Sequence, residues 1–160
     1  MTRTIFTALV LAALLLCPTA RADEGPDFVG DNSAVVLDKM KIARDNLTKS
    51  RLADGSNVPA ETEQELKTPI IPYADAKRVV NRGMITALAR HCGLEWENQS
   101  YMPFMKHERA EHRWSDKQIA YIGTLHGVTQ GVFFKLLTEK GACDDMKKRT
   151  IQAILGGLDK

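Results

Sequence analysis

Aromatic side chains are scarce in this chain, 6% of its 160 residues. Beyond the N-terminal region no apolar run approaches the roughly 18 residues that a membrane-spanning helix needs. No segment alternates apolar and polar residues over the length of a strand, and no internal repeat is visible. The G-x-S-x-G elbow, the phosphate-binding loop, the dinucleotide fingerprint and the C-x-x-C-H haem motif are all missing. With them goes the sequence support for hydrolase, nucleotide or haem chemistry, and the expectation is a protein without catalytic activity.

Cysteine and charge are scarcer than they first appear. Residues 1–22 carry a basic start (Arg3), an apolar run from Ile5 to Cys17 and the small-residue end Ala20-Arg21-Ala22. This reads as a secretory signal peptide cut after Ala22, with Leu16 before Cys17 arguing against a lipid-modified cysteine. Cleavage removes Arg3 and Arg21 and no acidic residue, so 22 Lys+Arg fall to 20 against 20 Asp+Glu. A formally neutral mature chain gives no reason to expect nucleic-acid binding. Two cysteines remain, Cys92 and Cys143, and in an oxidising compartment they are expected to form a disulfide worth about 4 kcal/mol in the chain-entropy picture.

What is present is helical periodicity. Residues 23–32 are acidic, contain Gly25, Pro26 and Gly30, and read as a flexible leader. Residues 33–160 read as one domain. Ser33 is placed to cap a helix reaching about Leu52, with Val36, Met40, Ala43 and Leu47 on one face. A connector with Pro59, Pro69 and Pro72 follows over 54–72, with room for a short helical turn. A second helix is expected over Asp75–Cys92, stopped by Gly93, and a third from a Ser100 cap to about Arg113. Ser115 and Gln118 form a capping box for a fourth, ending near Glu139 before Gly141, and Asp144 caps the last. The fold class is therefore all-α, a small bundle of four to five helices joined by a Cys92–Cys143 disulfide.

Chemistry-bearing residues collect on the third helix, where the apolar stripe Tyr101, Phe104 and Met105 is continued by Glu108, Glu111 and His112. Residues three and four apart share a helix face, so these three are expected to converge on a metal ion, with His107 beside Glu111. Carboxylates suit calcium or a lanthanide, and imidazole suits zinc or copper. His107 and His112 do not make a zinc-protease motif, because at five residues apart they point about 140° from each other. Too few ligands are visible to fill a shell, so a metal-bridged homodimer is a corollary. The competing reading makes Glu108, Arg109, Glu111 and Arg113 salt-bridge partners near a helix end.

Other clusters say less. Met102, Met105 and His107 are too few for a copper site. Asp54, Ser56 and Glu65 fail as a calcium loop because Val58 and Pro59 stand where a ligand and the turn glycine belong. They leave a flexible acidic loop that includes Glu61 and Glu63. Gly123, Gly127 and Gly131 recur every fourth residue on the fourth helix, a face expected to meet another helix closely or to form a groove for a ligand or partner. His126 is expected to be a core histidine bonded to Gln130, and Trp96 and Trp114 core residues. The sequence thus describes a periplasmic binding protein, with metal-ion binding as the sharpest expectation. The alternative is an accessory module that docks another envelope protein on the glycine-lined fourth helix.

Overall fold

The structure, a computed structural model, describes residues 25–158, so the expected signal segment 1–22 lies outside the described residues. Among the described residues five α-helices follow one another: α1 (Ser33–Asn46), α2 (Tyr73–His91), α3 (Met102–Ala110), α4 (Asp116–Glu139) and α5 (Asp145–Gly157). Single 3-10 turns occur at Leu47–Lys49 and Glu65–Lys67, and a π-helical turn, Glu97–Tyr101, runs into α3. Among the described residues β-structure is limited to one antiparallel bridge, Arg51 to Asn57. The chain is a small all-α bundle with a Cys92–Cys143 disulfide, as its periodicity implied.

The bundle is arranged around α2, which touches α1, α4, α5 and the π turn. Its buried residues, among them Ala76, Val79, Ile85, Ala87 and Ala89, lie on more than one face, as expected of an enclosed helix. Small side chains let the neighbours come close. A Cβ added to Gly83 would sit 2.8 Å from Thr129 Cβ and 3.0 Å from the His126 carbonyl oxygen, so glycine is required where α2 crosses α4. The glycine row of α4 does not make that crossing. A Cβ at Gly123 would be 3.6 Å from Tyr101 and Met105, and nothing lies within 4 Å at Gly127 or Gly131.

Two apolar clusters hold the helices. The larger joins α1 (Val36, Ala43), α2 (Val79, Val80), α3 (Phe104, Met105) and α4 (Tyr121, Ile122, Leu125). The smaller surrounds the disulfide, with Ile85 and Ala89 of α2 against Ile151 and Leu155 of α5. Fixing two points 51 residues apart, the disulfide removes chain entropy from the unfolded state and secures α5, which has few other attachments.

Capping residues act largely as read. Ser115 Oγ accepts from the Gln118 amide at 3.3 Å while the Gln118 side chain accepts from the Ser115 amide at 3.0 Å. Asp144 accepts from the Lys147 amide at 2.8 Å. Ser33 and Ser100 are exceptions: Ser33 is the first residue of α1 rather than its cap, and Ser100 lies within the π turn.

Two segments expected to be loose are fixed by polar side chains. In the leader, Asp27 Oδ1 accepts from the amides of Val29 and Gly30, and its Oδ2 meets Lys77 at 2.7 Å. Asn81 accepts from the Phe28 and Val29 amides, so the turn sits on α2 and Val29 is buried. The connector is strapped down by Arg44, which grips both oxygens of Glu61 and the carbonyls of Glu65 and Thr68. With Val58 and Ile71 buried beneath, the acidic loop is part of the core's cover.

The crossing geometry separates two glycine substitutions. Gly83→Ala is expected to lower stability by about 1–3 kcal/mol, since the methyl meets a branched side chain and a carbonyl. Gly127→Ala, exposed in mid-helix, is expected to raise it by up to about 1 kcal/mol through helix propensity alone. Urea unfolding of both variants checks the pair, and the same sign for the two would contradict the packing described.

Candidate functional site

Glu108 decides where the expected site residues go. Its side chain is fully buried. Oε1 accepts from Arg78 Nη1 of α2, and Oε2 accepts from the Trp114 indole N–H at 2.8 Å. Arg113 lies 4.0 Å from Oε2 and donates to Asp75 at 2.8 Å, and Asp75 is 3.7 Å from Arg78. Asp75, Arg78, Glu108 and Arg113 thus alternate in sign, two from α2 and two from the α3 region. Burial pushes the Glu108 carboxyl up, but the hydrogen bond and charge of Arg78, with the Trp114 N–H and Arg113, outweigh it and hold the group below the usual carboxylate range.

The expected convergence of Glu108, Glu111 and His112 does not form. Glu108 is turned inward to Arg78 and Trp114. Glu111 pairs with Arg113 at 2.6 Å and with His107 at 3.3 Å. His112 is off the helix altogether: α3 ends at Ala110, and His112 takes a φ of +53°. The physical reason is that Arg113 and Trp114 must turn back to reach Asp75 and Glu108, which stops helical propagation before Arg113. Among the described residues no three His, Cys, Asp or Glu side chains lie together as ligands for a metal ion. Of the ion pairs foreseen as the competing reading, those of Arg113 with Glu111 and Glu108 are present, but Glu108 is buried and its closer partner is Arg78 of α2, and Arg109 forms none among the described residues.

At its other end α3 also departs from expectation. Pro103 lacks the N–H that would continue a regular ladder, and the wide π turn before it accommodates the ring. Ser100 is therefore buried within helical backbone and does not act as a cap. Its hydroxyl meets Thr86 Oγ1 at 2.8 Å, and Thr86 in turn meets His126 Nε2 at 3.0 Å. His126 bonds to Thr86 of α2 and not to Gln130. Burial, with the Arg82 charge adding to it, pushes this imidazole down to about 3.

Between α3, α4 and the 49–53 turn these features leave a groove of about 610 Å³, within the range of small-ligand pockets. Tyr101, Met105 and Trp114 come from the α3 side, Ile119, Ala120 and Gly123 from α4. Its charged lining is mostly basic. Lys49 and Arg51 come from the 49–53 turn and Arg109 and His112 from the α3 side, against the single carboxylate of Asp116. Lys49 contacts Asn46, Arg51 the Gly55 carbonyl and Arg109 the Met105 carbonyl, and none of the three forms an ion pair among the described residues. Trp114 is set as a wall by its bond to Glu108, with Arg113 stacked 4.1 Å from its ring. Gly123 was legible as a groove residue, whereas Lys49, Arg51 and Arg109 carried no sequence signal that separated them from other surface cations.

Glu108→Ala is expected to cost about 3–5 kcal/mol, because it strands the buried Arg78 charge. It should also shift Trp114 emission to the red, and urea unfolding followed by fluorescence checks both. The pH dependence isolates His126. An imidazole held neutral when folded and free to protonate when unfolded withdraws stability as pH falls below its ordinary value of 6.5, until the folded value of about 3 is reached. The slope approaches 1.4 kcal/mol per pH unit. Unfolding series at pH 7, 6 and 5 should show this slope in the parent chain and a flatter one in His126→Gln; equal slopes would contradict the assignment.

No protein-family model, curated protein or solved structure matches this chain, which leaves its own geometry as the guide to what it does.

Proposed function

We propose that the mature chain is a non-catalytic exported binding protein, that the groove between α3, α4 and the 49–53 turn is its site, and that its ligand is a small organic anion with a flat apolar body. The observation that carries this reading is the make-up of the groove. Three cations without carboxylate partners, Lys49, Arg51 and Arg109, border a floor and walls of Met105, Ile119, Tyr101 and Trp114. Charge-assisted hydrogen bonds from the rim suit an acidic head, and the aromatic walls suit a planar body. Export is supported by the signal-like residues 1–22 and is compatible with the disulfide.

A cation at Glu108, Glu111 and His112 has less support, since among the described residues no three such side chains come together and Glu111 pairs with His107 and Arg113. An accessory module that docks another envelope protein has Gly127 and Gly131 in its favour, both exposed in the middle of α4 with open space above. Thermal unfolding of the mature chain against small aromatic carboxylates, their neutral amides, calcium and zinc separates these readings. Aromatic carboxylates are expected to raise the melting temperature of the parent but not of Gly123→Phe, whose ring fills the groove. Stabilisation by a carboxylate that survives Gly123→Phe would overturn the groove. Stabilisation by zinc or calcium that is lost in His107→Ala/Glu111→Ala would restore the cation reading.

A further inference from the structure

We infer that His112 is a ligand-contacting, specificity-determining residue, and that the acidic head of the ligand sits between its imidazole and Arg109. The inference rests on the groove being the binding site. Three helices end in the same way, with the second residue past the last helical one at positive φ: Gly93 at +66° after α2, Gly141 at +103° after α4, and His112 at +53° after α3. At the first two the chain uses glycine, which adopts this conformation without a Cβ penalty. At the third it keeps a histidine, the non-glycine residue with positive φ among the described residues.

Among the described residues nothing accounts for that choice. The His112 side chain is exposed and makes no hydrogen bond or ion pair among the described residues. It does line the groove, as does Arg109 three residues before it. An imidazole offers an N–H donor in either protonation state, and beside a guanidinium it completes a two-sided grip on a carboxylate or sulfonate. A side chain without an internal partner, held where glycine is the easier residue and directed at a basic groove, is accounted for by what enters the groove.

The test uses two fluorescent probes with the same aromatic body: anilinonaphthalene sulfonate, which is an anion, and phenylnaphthylamine, which has no acidic group. The parent should bind the sulfonate more tightly than the amine, with one site per chain. His112→Gly should melt no lower than the parent, lose about tenfold in sulfonate affinity and leave the amine unchanged. His112→Asn, which tolerates the same backbone conformation, should behave likewise. Unchanged sulfonate affinity in both variants, or a lower melting temperature in His112→Gly, would overturn the role given to His112. Gly123→Phe should abolish binding of both probes. If it does not, the groove reading itself fails, and the two failures are told apart by which variant is silent.

Discussion

A carboxylate buried without access to water has to be answered on every side, and in this protein Glu108 is answered from two places, α2 and the turn that follows α3. Arg78 reaches it from α2, Trp114 returns to it from the far side of the α3–α4 turn, and Arg113 closes the set through Asp75. The pairing is a constraint more than a source of net stability, since desolvation offsets much of the Coulomb attraction. What it fixes is geometry. The chain must leave helical conformation after Ala110 for Arg113 and Trp114 to arrive, and that reversal places His112 and Trp114 at the groove and sets up the start of α4.

The groove has a second determinant at the opposite end of the same short helix. Pro103 and the π turn before it bring Ser100 inward to Thr86 and His126 while Tyr101 faces the groove. Each end of α3 thus departs from regular helix, and each departure delivers an aromatic residue to the same cleft. Departures of this kind persist where side-chain partners hold them in place. Here the buried ion network does so at one end and the Ser100–Thr86–His126 chain at the other.

Much of the architecture was legible because it depends on local signals. The capping box at Ser115 and Gln118, the Asp144 cap and the apolar stripe of α2 are decided within a few residues, two cysteines in residues 23–160 leave one intrachain pairing, and the bundle follows from them. The candidate site was read less well, for the opposite reason. Helical spacing put Glu108, Glu111 and His112 on one face, but spacing says nothing of Arg78, which stands 30 residues away and takes Glu108. The same blindness applies to Asp27 with Asn81, to Arg44 with Glu61 and to Gly83 against Thr129, where long-range partners turned expected loose segments or an unremarked glycine into structure. Cations without an ion-pair partner among the described residues leave no periodic trace, so the basic lining of the groove emerges only in three dimensions.

The central claim is that the α3–α4 groove receives an organic anion, and residue-resolved nuclear magnetic resonance tests it most directly. A chain of residues 23–160, labelled with nitrogen-15, is titrated with anilinonaphthalene sulfonate and the amide and indole N–H shifts are followed. The expected result is that Tyr101, Met105, Arg109, His112, Gly123 and the Trp114 indole move together and saturate with a single affinity, while the apolar pocket beside the disulfide, around Leu137, Met146 and Ile151, stays still. Shifts confined to that second pocket, or none at the groove, would contradict the account.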